Sequence, residues 1–332
     1  MHRGGSARLL LPALVAALVL VAGSIASASG KQSGPRVVLV TRNCTSAGFL
    51  CPAFKQALLR TGMSGRIISP DLREDPVGTL SLLARQGYDV VVVDITYADP
   101  LAIVARRFPK TRFVLFDASL NSLKGHPRNV EGIVMLPHEG AYLAGWLAAR
   151  MVHRSGADVV GIVAGMRTPE VKDFIVGFSA GARAADPGIF VLTRYSHDFV
   201  DPDKCHAIAE SEIARGAKAV FNVAGFCGLG TLRAAESAGV WGIGVDTDQA
   251  FIGRHILTSV LKGYEAGFID LFGQVRRGVV YTGQTRALTL RDGGSSLGRI
   301  SSQVPASIRA ALDRIRSKIL AGDIRVPLAS PA

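Results

Sequence analysis

Large rings are scarce in this chain: aromatic residues make up 7% of it, against 37 glycines. That balance argues against a β-sandwich and suits an α/β protein with many tight strand-to-helix turns. Clustered charge is missing as well. Lys and Arg outnumber Asp and Glu by 38 to 26, for a formal charge of +12, yet no run of four or more basic residues occurs. A spread of this kind reads as a solvated basic surface and not as a tract that grips nucleic acid. CxxC and HxxxH spacings are absent, which speaks against a metal site, and no cofactor is expected. Past residue 30 no stretch is long and apolar enough to cross a membrane.

What is present begins with a short basic start, His2, Arg3 and Arg8, followed by the apolar run Leu9–Val21 and the small-x-small triplet Ala26-Ser27-Ala28. This layout is that of a cleavable signal peptide over residues 1–28 and implies a periplasmic or secreted protein, with no lipid-anchoring Cys before Cys44. From Pro35 onward, short apolar runs alternate with amphipathic stretches. Val37–Val40, Arg66–Ser69, Val90–Asp94 and Phe113–Asp117 read as strands with helices between them. The rhythm restarts after Val130, with strands at Val159–Val163, Phe190–Tyr195, Ala219–Val223 and Trp241–Val245. Continuous apolar strands separated by helices indicate parallel sheets covered on both faces. Two consecutive sets predict two lobes, each a parallel sheet with helices on both faces; a single eight-stranded barrel is the rival architecture. The first lobe is expected over 35–138 plus about 247–275, and the second over 139–246 plus about 276–328. The stretch Ala250–Arg277 reads as mostly helical.

In open sheets of this kind ligands bind at the carboxyl ends of the strands. The polar residues there are Asn43 with Thr45 and Ser46, Asp94, Asp117, Gly165, Asn222, and Asp246 with Asp248. The carboxylate of Asp246 could accept both donors of a vicinal sugar diol, whereas Asp248 could cap the next helix. Gly177-Phe178-Ser179-Ala180-Gly181 matches a nucleophile-elbow pattern, but that chemistry needs a strained strand-to-helix turn. Here it lies inside a helical stretch opening near Pro169, so its glycines read as sites of close helix packing. Gly225-Phe226-Cys227-Gly228-Leu229-Gly230 follows a strand and reads as a turn lining a small-ligand cleft. Four cysteines in an exported chain suggest two disulfides with three possible pairings. Cys44–Cys51 and Cys205–Cys227 are expected, because each pair lies within one lobe.

Several of these stretches together resemble the basic membrane protein family of solute-binding proteins, which includes purine nucleoside receptors of ABC importers. They are Phe113–Asp117, Glu139–Gly145, Gly161–Gly165, Gly177-Phe178, Ala224-Gly225, Gly244–Gln249, Leu257–Lys262 and Gly322-Asp323-Ile324, ordered over roughly residues 35 to 328. The resemblance implies a two-lobed periplasmic-binding-protein type I fold and a non-enzymatic role. It also implies an ABC transporter permease as partner, a nucleoside-like ligand and a monomeric state. By the same resemblance Asp246 holds ribose hydroxyls with help from Lys262, Asp117 contacts the nucleoside, and Gly225 lines the sugar pocket. Phe49 is the first-lobe stacking ring, and Phe174 or Phe178 the second-lobe one. The first loop departs from the family pattern: Asn43 stands in it as a ligand-binding candidate, but Leu50 occupies the usual Asn position. A ligand-binding subunit for a membrane signalling receptor, or a nucleoside hydrolase, are the alternative readings.

Overall fold

A computed structural model describes residues 36–42, 44, 49–71 and 74–329. The expected signal peptide and Asn43 lie outside the described residues. Two six-stranded sheets organise the described residues. The first uses β1 (Arg36–Val40), β2 (Ser64–Ile68), β3 (Val90–Val93), β4 (Phe113–Phe116), β5 (Val130–Met135) and β11 (Thr285–Leu288), in the order β11-β5-β4-β3-β1-β2. All its pairings are parallel. The second uses β6 (Val159–Ala164), β7 (Phe190–Tyr195), β8 (Ala219–Val223), β9 (Trp241–Asp246), β10 (Ile256–Lys262) and β12 (Ser295–Leu297), in the order β12-β10-β9-β8-β6-β7. Here only the short edge strand β12 runs antiparallel.

The apolar strands form because both faces of each sheet are covered, as the continuous Val37–Val40 and Val90–Val93 runs demand. In the first lobe α1 (Leu50–Thr61) and α8 (Tyr264–Arg276) cover one face, and α2 (Pro76–Arg85) and α3 (Ala98–Arg107) the other. In the second lobe α4 (His138–Arg154), α5 (Pro169–Ala185) and α9 (Ala306–Ala321) share one core, while α6 (Pro202–Ala214) and α7 (Gly228–Ser237) lie opposite. The nucleophile-like Gly177 and Gly181 sit on α5 where it crosses α4. A Cβ on Gly177 would come within 2.2 Å of the His138 carbonyl oxygen, and one on Gly181 within 1.9 Å of that of Tyr142. The motif is a helix-crossing device.

The strand pairings correct two expected boundaries. Residues 256–262, expected in a helical part of the first lobe, form β10 and pair with β9 of the second sheet. Residues 285–288, expected in the second lobe, form β11 and pair with β5 of the first. Within the described residues the chain therefore passes between sheets three times: after β5, between β10 and α8, and between β11 and β12. Thr258 and Ser259 explain the misreading of β10. These small polar residues interrupt its apolar character, yet both are fully buried and engaged, Thr258 with the Gly298 carbonyl and Ser259 with the Gln249 backbone N–H.

Candidate functional site

The carboxyl ends of the two sheets meet at one ion pair. Asp117 follows β4 with φ +60°, a left-handed turn that aims its side chain off the strand end. Lys262 ends β10, so its ammonium comes from the other sheet, and it sits 2.6 Å from Oδ1 and 2.7 Å from Oδ2 of Asp117. Tyr264, at the start of α8, donates its hydroxyl to Asp117 Oδ2 at 3.3 Å. Asp246 ends β9 in the same left-handed conformation, φ +64°. No hydrogen bond or ion pair to its carboxylate occurs among the described residues.

Electrostatics separate the two acids. Burial pushes the Asp246 carboxyl up to about 6, against the opposing pull of Lys262 and with added repulsion from Asp117. Burial also raises Asp117, while Lys262 and the Tyr264 hydroxyl pull it down. For Lys262 burial favours the neutral form, but the charges of Asp117 and Asp246 outweigh it, and its pKa is raised. The ammonium is thus a fixed charge shared between two carboxylates, one in direct contact and one held apart. Glu170, in the first turn of α5, adds negative charge felt at both Asp117 and Lys262.

The rest of the Gly244–Gln249 stretch is occupied with holding the turn. Gln249 Oε1 accepts the Val245 N–H and its own N–H donates to Ser259 Oγ, both at 3.0 Å. Asp248 accepts the Ala250 and Arg299 N–H groups at 3.1 and 3.3 Å. Among the described residues, Asp246 is the carboxylate of this stretch that has no hydrogen-bond or ion-pair partner.

On the first-lobe wall, Phe49 precedes α1 and lies parallel to Tyr264, with centroids 6.4 Å apart and planes 6° from each other. Phe49, Ile95, Phe116, Asp117 and Tyr264 line a recess of about 170 Å³. The Cys44–Cys51 disulfide closes the loop that carries Phe49. Asp94, also at this wall, is committed to Thr41 Oγ1 and to the N–H and hydroxyl of Thr96.

The second-lobe wall differs from expectation in its ring. Phe178 is fully buried and stacks on Phe221 at 4.9 Å, and Phe174 meets the same ring edge-on at 6.1 Å. Their positions, three and seven residues after Val171, place both on the stripe of α5 that packs into the lobe core. Both rings serve packing. Phe199, in the loop after β7, was not singled out by the sequence, and it is 39% exposed. Its ring fills the space above Gly165, at the end of β6, so that a Cβ there would lie 2.3 Å from Phe199 Cε1. It also lies beside Gly225, which follows β8 with φ +55°. The Cys227 N–H donates to the Phe199 carbonyl at 3.0 Å, and the Cys205–Cys227 disulfide ties that turn to α6. The signal that could have found Phe199 is its place: an aromatic just past a strand, opposite two strand-end glycines.

Comparison with known proteins gives a consistent set of relatives. The family described as "ABC transporter substrate-binding protein PnrA-like" matches residues 58–330. Basic membrane protein B of Borrelia garinii is 32% identical over 56% of this chain, and the match spans 55% of that protein, about half its length. The ABC transporter nucleoside-binding protein BmpA of Lactococcus lactis is 26% identical, over 82% of this chain and 81% of its own. Among solved structures, an ABC transporter solute-binding protein from Conexibacter woesei superposes with a TM-score of 0.70 at 25% identity, covering 89% of this chain and 99% of its own.

Proposed function

Since the chain belongs to the family of PnrA-like substrate-binding proteins of ABC transporters, we infer that it captures a nucleoside between its lobes and delivers it to a membrane importer outside the cytoplasm. The observation that carries the reading is the Asp246 carboxylate: half-buried at a strand end, beside a fixed ammonium, and without a protein hydrogen-bond partner among the described residues. An ionised carboxylate is acceptor-only, and two neighbouring hydroxyls of a ribose present two donors in the right spacing to meet it. The ligand would replace the water that such a group otherwise needs.

The walls fit the rest of a nucleoside. Phe49 and Phe199 offer one exposed ring face from each lobe, and a flat base between them gains dispersion and apolar burial. Asp117 already accepts from Lys262 and Tyr264, so its role is to hold the ammonium in place and to present what acceptor capacity remains to the base. Bridging by the ligand would favour a closed form, which an importer can distinguish from the open one. The relative whose name says nucleoside-binding supports this ligand class.

The test is a thermal-shift screen of the purified chain with nucleosides, free bases, 2′-deoxynucleosides and sugars. Nucleosides are expected to raise the melting temperature, by about 2.7 kcal/mol of stabilisation at a hundredfold excess over Kd. 2′-Deoxynucleosides, which lack one donor of the diol, are expected to bind more weakly. A response confined to a class without a vicinal diol would overturn the assignment of Asp246. Conversion of inosine to base and ribose by the purified chain would replace binding with hydrolysis.

A further inference from the structure

The end of the first lobe opposite the ligand site is strongly basic, and topology makes it so. In a parallel sheet the helices return antiparallel to the strands, so their carboxyl ends gather at the amino ends of the strands. α2 ends on Arg85, α3 on Arg106 and Arg107, and α8 on Arg276. The contacts show these ends side by side. The Arg85 guanidinium lies 5.7 Å from the Phe108 ring centroid, and Arg112 Nη1 donates to the Gly278 carbonyl just after α8.

Helix dipoles account for arginines in last turns. They do not account for Lys110 and Arg112, in the loop before β4, or Arg128, just before β5. With Arg106 these three line one open cavity of about 460 Å³, and no carboxylate is among the described residues that line it. All four are exposed. Arg106 and Arg112 are held in place by bonds to the Lys124 and Gly278 carbonyls. Lys110 and Arg128 make no side-chain bond among the described residues. The nearby acid, Asp89 before β3, accepts the Arg36 backbone N–H and lies outside the cavity.

We propose that this basic end of the first lobe is a docking surface for anionic phospholipid headgroups. Guanidinium groups around an open cavity match phosphate in shape and charge. A multivalent, shallow, cationic surface suits a sheet of headgroups better than one buried anion. Because the surface sits at the amino ends of the strands and Asp117 at the carboxyl ends, docking leaves the ligand site free. The contact would hold the protein near the membrane while the lobes still load. This inference uses none of the residues assigned to ligand capture.

The test uses the full chain and vesicle sedimentation. Vesicles containing phosphatidylglycerol are expected to bind it, pure phosphatidylcholine vesicles are not, and about 0.5 M salt should release it. In the double variant Lys110→Glu with Arg128→Glu, binding should weaken by at least about 25-fold, on the order of fivefold for each cation removed and more for the two carboxylates introduced. Neither side chain supports the fold, so the melting temperature should hold. The matched control reverses Arg314 and Arg316 on α9, both exposed on the second lobe, and should retain most binding. Equal binding to both kinds of vesicle would overturn the proposal. So would an equal loss in the α9 control, which would mean a general charge effect. Capture of poly-glutamate at this end without capture of vesicles would assign the surface to an acidic protein instead.

Discussion

The two sheets end in the same way and to different effect. β4 and β9 each run out into an aspartate in left-handed backbone, Asp117 at φ +60° and Asp246 at φ +64°. On the first sheet the acid is filled: an ammonium 2.6 Å away and a tyrosine hydroxyl occupy it. On the second sheet it meets no protein donor among the described residues. Burial works against both carboxylates, and among the described residues Asp117 has a direct partner to offset it while Asp246 has none. The difference assigns two tasks to one residue type. The first sheet fixes a charge across the gap between the lobes; the second leaves an acceptor for something else.

The largest expected effect follows from that contrast. Asp117→Asn strands the Lys262 ammonium, whose side chain is 7% exposed. Removing one member of a buried pair costs about 3 kcal/mol once its partial exposure is allowed for. For a chain of this length that is a fall in melting temperature of about 4 °C. Asp246→Asn should do the opposite. It removes a half-buried charge with no partner among the described residues, so the unliganded protein should melt no lower, while nucleoside affinity measured by calorimetry drops on the order of 100-fold. If both variants lose stability and keep affinity, the two sheet ends share one structural task and the contrast disappears.

The same contrast should show in pH. The Asp246 carboxyl is raised to about 6 in the folded protein. A carboxyl raised on folding binds its proton more readily in the native state than in the unfolded one. Its contribution to stability is therefore greatest in acid and is lost as pH rises through about 6. Capture of hydroxyls needs the ionised form and should strengthen over that same window. The ligand-induced rise in melting temperature is thus expected to grow between about pH 5 and pH 7, and Asp246→Asn should flatten the profile. A ligand shift that is constant across this range would remove the carboxylate from the binding step.

The aromatic walls give a smaller effect and show what the sequence could and could not carry. The strand-end acids were legible because an apolar run ending in Asp has few other readings. Lys262 entered only through the family resemblance and not as part of β10, since Thr258 and Ser259 broke the strand pattern and their buried partners lie elsewhere in the chain. The second-lobe ring was not legible. Phe174 and Phe178 share a core stripe with Val171 and Ala182, a helical spacing that already spoke for packing. Phe199 is placed by tertiary contacts instead: Asp198 Oδ1 accepts the N–H groups of Val200 and Asp201, and Cys227 closes the loop from another element. Phe49→Ala and Phe199→Ala should each weaken nucleoside binding about tenfold, in line with base stacking, with little change in melting temperature. Phe178→Ala should instead destabilise the fold by about 3 kcal/mol or more. A Phe199→Ala variant with unchanged affinity would leave the second wall without a ring.

The smallest expected effect lies at Tyr264, which belongs to both features of the first wall. Its ring stacks with Phe49 and its hydroxyl reaches Asp117 at 3.3 Å, a long bond. Tyr264→Phe keeps the ring and deletes the donor, so it separates the two roles. The Lys262 ammonium still straddles Asp117, and the loss of one long hydrogen bond should cost no more than about 0.5–1 kcal/mol of stability. Deleting the donor also frees Asp117 Oδ2 to accept from the base. Nucleosides whose bases carry an N–H donor should therefore bind the variant a few-fold tighter relative to those without one. The ratio of the two Kd values reads this out, because any general loosening of the wall moves both in the same direction. An unchanged ratio would confine Asp117 to holding Lys262, and the contrast between the two strand-end acids would then be complete.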